Sequence, residues 1–229
     1  MTDTVLIAGA SRGLGLGLAR EWLHRGWAVI GTVRGPGRTG LHDAADAFGG
    51  RLAIEQLDVT EPASIGALRE RLNGRSLDVL FVNAGAALGR EDRVDQVDTA
   101  EFTQLMETNA LGPLRTIEAL GPLVCPGGTI AAMSSSLGSV GLNETGGMET
   151  YRASKAALNT LMRSYAVRHA GDGRTLALVH PGWVRTDMGG ADASLTVEVS
   201  APGIVDAVLA RMGTPGLQFY DYQGKTLPW

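Results

Sequence analysis

The stretch Thr4-Val5-Leu6-Ile7-Ala8-Gly9-Ala10-Ser11-Arg12-Gly13-Leu14-Gly15, which runs straight into an amphipathic segment ending at Arg25, decides the fold. Five apolar or β-branched residues in a row read as a strand buried on both faces, as in a parallel sheet covered by helices. The run then breaks into glycines spaced Gly-x-x-x-Gly-x-Gly and passes into a helix. In that setting one glycine permits the tight turn, one lets the backbone approach a pyrophosphate, and one lets helix pack on strand. The helix N-terminus offers free N–H groups and the positive end of its dipole to phosphates. Gly9, Ser11, Arg12, Gly13, Leu14 and Gly15 are therefore candidate ligands of a dinucleotide.

The rest of the chain repeats the rhythm. Short apolar runs at Ala28 to Val33, Leu52 to Leu57, Asp78 to Val82, Thr129 to Met133, Thr175 to His180 and Leu217 to Tyr220 read as strands. Helical patterns lie at Leu14 to Arg25, Pro62 to Leu72, Thr99 to Leu120, Tyr151 to Arg168 and Val197 to Arg211. Alternation of this kind predicts an α/β fold: a doubly wound (Rossmann) parallel sheet of about seven strands, helices on both faces, right-handed crossovers. The glycine-rich stretches Gly35 to Gly40 and Gly138 to Gly147 read as surface loops, so residues 1–229 are expected to form one domain.

Strand ends then carry the chemistry, because an open α/β sheet binds ligands outside the carboxyl ends of its strands. An acid about 20 residues past the glycines would bind a ribose 2′-hydroxyl. Strand two instead ends in Gly31-Thr32-Val33-Arg34, so Arg34 and Arg12 are available to a 2′-phosphate, and NADPH is the expected coenzyme. Asp58-Val59 follows strand three: Asp58 either accepts from the adenine amino group or caps the turn near Thr60. Asn83-Ala84-Gly85 follows strand four, either bracing the central strands beside the adenine ribose or forming a plain turn.

Tyr151-Arg152-Ala153-Ser154-Lys155 opens a helix, and residues four apart share a helical face. A nearby ammonium lowers a phenol pKa from its ordinary value of about 10, so the pair can exchange a proton with a carbonyl or alcohol oxygen near neutrality. Only two lysines occur among 20 basic residues. One of them falling four residues after a tyrosine is informative, since a compact ammonium does what a guanidinium fork cannot. A hydroxyl from Ser134-Ser135-Ser136 after strand five can stabilise charge on the substrate oxygen. Asn109, mid-helix, is a candidate to hold a water that relays protons to Lys155. Pro181-Gly182-Trp183-Val184-Arg185-Thr186 turns the chain over the site, with Thr186 placed for the nicotinamide carboxamide; His180 reads as structural.

Taken in order, these motifs resemble the short-chain dehydrogenase/reductase family over nearly the whole chain, and most closely the branch of sniffer-type carbonyl reductases and the bacterial C-factor. The resemblance implies a tetrad of Asn109, Ser135, Tyr151 and Lys155. Ser135 is preferred because the family pattern puts this serine three residues before a glycine, here Gly138. It also implies coenzyme contacts from Tyr151, Lys155 (which orients the ribose), Pro181, Gly182, Val184 and Thr186, and pairing of chains through the two long helices in many members, hence a possible homodimer. Three departures stand out: Ala8 replaces the usual threonine, Val82 replaces the first asparagine of Asn-Asn-Ala-Gly, and Ser135 and Tyr151 lie 16 residues apart, a few more than usual.

Composition excludes several alternatives. With 44% hydrophobic and 19% charged residues over 229 positions, a soluble chain with a sizeable core is expected. A net charge of −4 argues against a nucleic-acid or membrane-surface binder. No signal peptide or membrane span is read, and the single cysteine, Cys125, suits a cytoplasmic setting. The expected activity is reduction of a small-molecule carbonyl to an alcohol. A dinucleotide-binding signalling protein is the competing expectation.

Overall fold

The computed structural model describes residues 2–87 and 93–229. Seven strands form one parallel sheet: β1 (Thr4–Ala8), β2 (Ala28–Val33), β3 (Leu52–Gln56), β4 (Leu77–Val82), β5 (Val124–Met133), β6 (Thr175–His180) and β7 (Gly216–Asp221). Their order is β3-β2-β1-β4-β5-β6-β7, so the direction of winding reverses between β1 and β4. A doubly wound sheet opens its ligand crevice at such a reversal. In register, Ala8 lies beside Val82, which puts the glycine turn and Asn83 side by side.

The continuous apolar strands make two cores, one per face. Val5 and Ile7 point toward α1 (Gly13–His24), α2 (Gly40–Phe48) and α7 (Val197–Leu209), with Leu18, Trp22 and Ile204. Leu6 and Ala8 point the other way, toward α3 (Pro62–Arg71), α5 (Gly112–Leu120) and α6 (Glu149–Arg168), with Ile65, Ile117 and Leu158. Each fully buried leucine or isoleucine contributes roughly 1.5–3 kcal/mol relative to exposure, so burial on both faces fixes the sheet firmly enough to present its loops. Among the described residues no helix is long and apolar enough to cross a membrane.

Two elements differ from expectation. The segment after Gly35 is not all loop: α2 starts at Gly40, where the Thr39 hydroxyl and the His42 ring form a reciprocal cap. The sequence signal was a Thr-x-x-His spacing in place of the usual Glu or Gln at the third position. The long helix expected from Thr99 to Leu120 is two helices, α4 (Thr99–Met106) and α5, joined by a π turn at Glu107–Leu111. Pro113 has no N–H for the carbonyl four residues back, that of Asn109, so the α-register cannot run through. The N–H of Gly112 bonds Glu107 instead, one residue further back than in an α-helix.

Candidate active site

The glycine turn is built to exclude side chains. Gly9 has φ +90°, and a Cβ there would stand 3.0 Å from the Ala84 backbone. A Cβ at Gly15 would run into the Gly9 carbonyl and approach Asn83 Nδ2 to 2.6 Å. Asn83 Nδ2 donates to that same carbonyl at 2.8 Å, so the brace expected of this residue holds the first turn itself. The missing threonine at position 8 has a substitute: the Gly9 N–H donates to Thr32 Oγ1, from β2, at 2.9 Å. Helix α1 has no side-chain cap and no acid in its first turn. Its leading N–H groups therefore face the cradle without a protein acceptor from a cap, as an anion site requires.

The neighbouring strand ends close around this turn. A Cβ on Gly13 would lie 3.4 Å from Thr186 Cγ2, so the segment after β6 meets the cradle. Thr186 Oγ1 accepts from the Gly189 N–H at 3.1 Å, and the Pro181 carbonyl accepts from Ser200 Oγ at 2.7 Å. Gly182, at φ +78°, turns the chain, and Val184 is buried beneath it. Val59 is buried, and Asp58 serves the turn reading directly, since its Oδ1 accepts from both the amide and the hydroxyl of Thr60. Arg12 pairs with Asp187 at the surface, while Arg34 is exposed at the end of β2.

The four tetrad positions converge at the carboxyl end of β5. Ser135 caps the short turn Ser136–Gly138: its Oγ accepts from the Leu137 N–H at 3.1 Å, and it lies near enough to the Tyr151 hydroxyl to lower that group's pKa. Ser134 is committed elsewhere, donating to Asn159 Oδ1 at 2.6 Å. Lys155 is only 3% exposed, and its Nζ donates to the Met133 carbonyl at 3.0 Å. A single point, the Cβ that Gly85 lacks, lies 3.3 Å from Asn109 Oδ1 and 3.4 Å from Lys155 Nζ. Gly138 lies against the backbone of Lys155, close enough that a Cβ would sit 2.8 Å from the lysine's own.

Packing adds detail at Asn109 and Lys155. The Asn109 amide is fully buried; Oδ1 accepts from the Ala86 N–H, and Nδ2 donates to the Ala86 carbonyl and to Ser154 Oγ. Both its donors are used, so the side chain braces the Glu107–Leu111 turn against α6. Pro113 has no N–H to give the Asn109 backbone carbonyl. Burial pushes the Tyr151 hydroxyl up to about 12, with a smaller lowering by Ser135. Burial also pushes Lys155 down to about 8. Nζ lies 5.9 Å from the Tyr151 ring centroid. The phenol is therefore protonated at neutral pH. His180 is neutral, pushed down to about 4 by burial, which agrees with a structural part.

A family profile described as enoyl-(acyl carrier protein) reductase matches residues 9–216. The chain belongs to the short-chain dehydrogenase/reductase family. A short-chain dehydrogenase/reductase from Burkholderia multivorans with bound NADP superposes with a TM-score of 0.98, at 51% identity over all of both chains. A carbonyl reductase from Pseudomonas aeruginosa in complex with NADP gives 0.93 at 43% identity, again over both whole chains. The carbonyl reductase Sniffer of Drosophila melanogaster gives 0.89 at 30% identity over both chains. The C-signal protein of Myxococcus xanthus is 39% identical over 155 residues, which is 67% of this chain and 93% of that one. The branch resemblance read from the sequence thus holds.

Several residues that sequence reasoning passed over tie these elements together. Ser154 Oγ accepts from Asn109 and donates to the Tyr151 carbonyl at 2.8 Å, tying π turn to catalytic helix. Asn159 holds Ser134 and the Gly138 carbonyl at 3.1 Å. Arg152 grips the loop before α6 through the Gly146 and Gly147 carbonyls and Thr145 Oγ1. All three face a helix flank in sequence, with no spacing pattern to mark them.

Proposed function

We propose that this member of the family is an NADPH-dependent oxidoreductase that reduces an aldehyde or ketone to an alcohol. The observation that carries this reading is Ser135 at the end of β5 beside Tyr151 of α6, with Lys155 buried one helical turn on and donating to the Met133 carbonyl. When bound, NADPH supplies a hydride from C4 of its nicotinamide. Tyr151, protonated well beyond neutral pH, gives its proton to the carbonyl oxygen. Ser135 stabilises the charge building on that oxygen, and Lys155 favours the phenolate left behind. Gly9, Gly13, Leu14, Gly15 and Ser11 would hold the pyrophosphate, Asp58 and Val59 the adenine, Asn83, Ala84 and Gly85 the adenine ribose, and Pro181, Gly182, Val184 and Thr186 the nicotinamide side.

The rim of the cleft favours an apolar substrate. Val140 and Leu142 after β5, and Trp183 and Met188 after β6, are large hydrophobic side chains exposed at that end of the sheet. A panel of aldehydes and ketones monitored by NADPH oxidation tests the reading, with turnover expected for bulky apolar carbonyls. Tight NADPH binding with no turnover across the panel would instead favour the signalling alternative suggested by the likeness to C-signal; the complete set of proton-transfer residues argues against it. A cytoplasmic setting fits both.

Coenzyme choice is proposed to rest on Arg34. Arg12 already has Asp187 as a partner, whereas Arg34 has none among the described residues. A charge-assisted bond is worth about 1.5–3 kcal/mol. Arg34→Asp should therefore cut the NADPH/NADH ratio of kcat/KM by roughly 10–100-fold, and an unchanged ratio would count against the assignment.

A further inference from the structure

The segment from Ser139 to Met148 joins the two hydroxyl-bearing elements of the site: Ser135 precedes it and Tyr151 follows it. Both feet are clamped. At the far foot, Gly146, Gly147 and Met148 are three consecutive residues with φ between +49° and +68°, a conformation costly for methionine. Arg152 holds that foot through the Gly146 and Gly147 carbonyls and Thr145.

The near foot is held from the other end of the sequence. Past β7 the chain doubles back along this edge strand: Asp221 N donates to the Lys225 carbonyl and Leu227 N to the Phe219 carbonyl, both at 2.9 Å. That return delivers Trp229 to the segment. The Trp229 carbonyl accepts from Ser139 Oγ and from the Gly141 N–H, both at 3.1 Å. Ser139 is buried, and its Oγ also accepts from the Leu142 N–H at 3.2 Å. The indole is fixed in turn by the Arg163 guanidinium, 4.8 Å from its centroid, and by the Phe219 ring at 5.6 Å.

We propose that Trp229 is a positioning residue for the substrate: its indole anchors the carbonyl that fixes Ser139 and Gly141, and so holds the wall of the substrate cleft in place. The proposal rests on the reductase reading of that cleft. It also separates two effects. Ser134 and Gly138, on either side of Ser135, are tied to Asn159 without help from Trp229. Loosening Trp229 therefore frees the wall and leaves the proton-donating pair where it is.

The test compares Trp229→Ala, Trp229→Phe, Ser139→Ala and the Trp229→Ala/Ser139→Ala double variant with wild type. Hydrogen exchange at the Gly141 and Leu142 amides should quicken at least about tenfold in Trp229→Ala and Ser139→Ala. KM for the best carbonyl substrate should rise about tenfold with kcat little changed. NADPH affinity should stay as in wild type. Trp229→Phe, which keeps an aromatic face for Arg163, should recover most of the KM. The double variant should be little worse than either single, because both remove one clamp. Unaltered exchange at the two amides, a fall in kcat without a rise in KM, or additive effects would each overturn the proposal. If wild type turns over no carbonyl, the reductase reading and the substrate role fall together, and the exchange data alone still decide whether the clamp exists.

Discussion

Tyr151→Phe is expected to lower kcat for carbonyl reduction by roughly 10²–10⁴-fold, the usual worth of a positioned general acid. Phenylalanine keeps the ring and its packing and removes only the hydroxyl. Burial keeps the proton on that hydroxyl to about pH 12. NADPH affinity and thermal stability should change little, because no part of the glycine cradle is touched. Stopped-flow or steady-state kinetics beside a coenzyme titration checks both halves. Turnover near that of wild type would remove the general acid from the scheme, and with it the present reading of the reaction.

Lys155→Met should give opposite results for activity and stability. The buried ammonium has its pKa pushed from 10.5 down to about 8, so the folded state resists carrying this charge. That depression corresponds to a cost of about 3 kcal/mol wherever both folded and unfolded chains are protonated, below pH 8. Between pH 8 and 10.5 the unfolded chain binds more protons than the folded one at this site, so wild-type stability gains from rising pH in that window. A methionine removes the charge but leaves the Met133 carbonyl without its donor at 3.0 Å, a loss of about 1–3 kcal/mol. At pH 7 the variant should therefore match wild type or exceed it by about 1–2 kcal/mol, a few degrees in Tm. The advantage should shrink as pH climbs toward 10.5. Turnover should fall by a factor comparable to that of Tyr151→Phe, since the phenolate loses its neighbouring cation. The decline of wild-type reduction above about pH 8, where Lys155 discharges, should vanish from the residual activity. A variant destabilised equally at pH 7 and pH 10 would show that the lysine is not a buried cation.

Much of the fold was open to reading because its signals are local. A run such as Val5-Leu6-Ile7-Ala8 carries its burial on both faces in four consecutive residues. The glycine spacing and the Tyr-x-x-x-Lys spacing are equally local, since a turn and a helical face are set within five or six residues. Where local chemistry was unusual the reading slipped: a histidine in the capping box hid α2, and Pro113 split one expected helix into two.

The partners of each side chain, by contrast, came only with the tertiary structure. Sequence alone determined the doubly wound sheet, the dinucleotide cradle, the family, and which residues could do proton chemistry. Packing decided that Asn109 braces Ala86 and Ser154, that Thr32 takes over from an absent threonine at position 8, and that burial displaces the Tyr151 pKa upward and the Lys155 pKa downward. The physical reason is distance along the chain. Asn83 meets Gly9 across 74 residues and Ser139 meets Trp229 across 90. Hydrogen-bond saturation and desolvation depend on every group that arrives at a site, and no periodicity in the sequence records which groups those are.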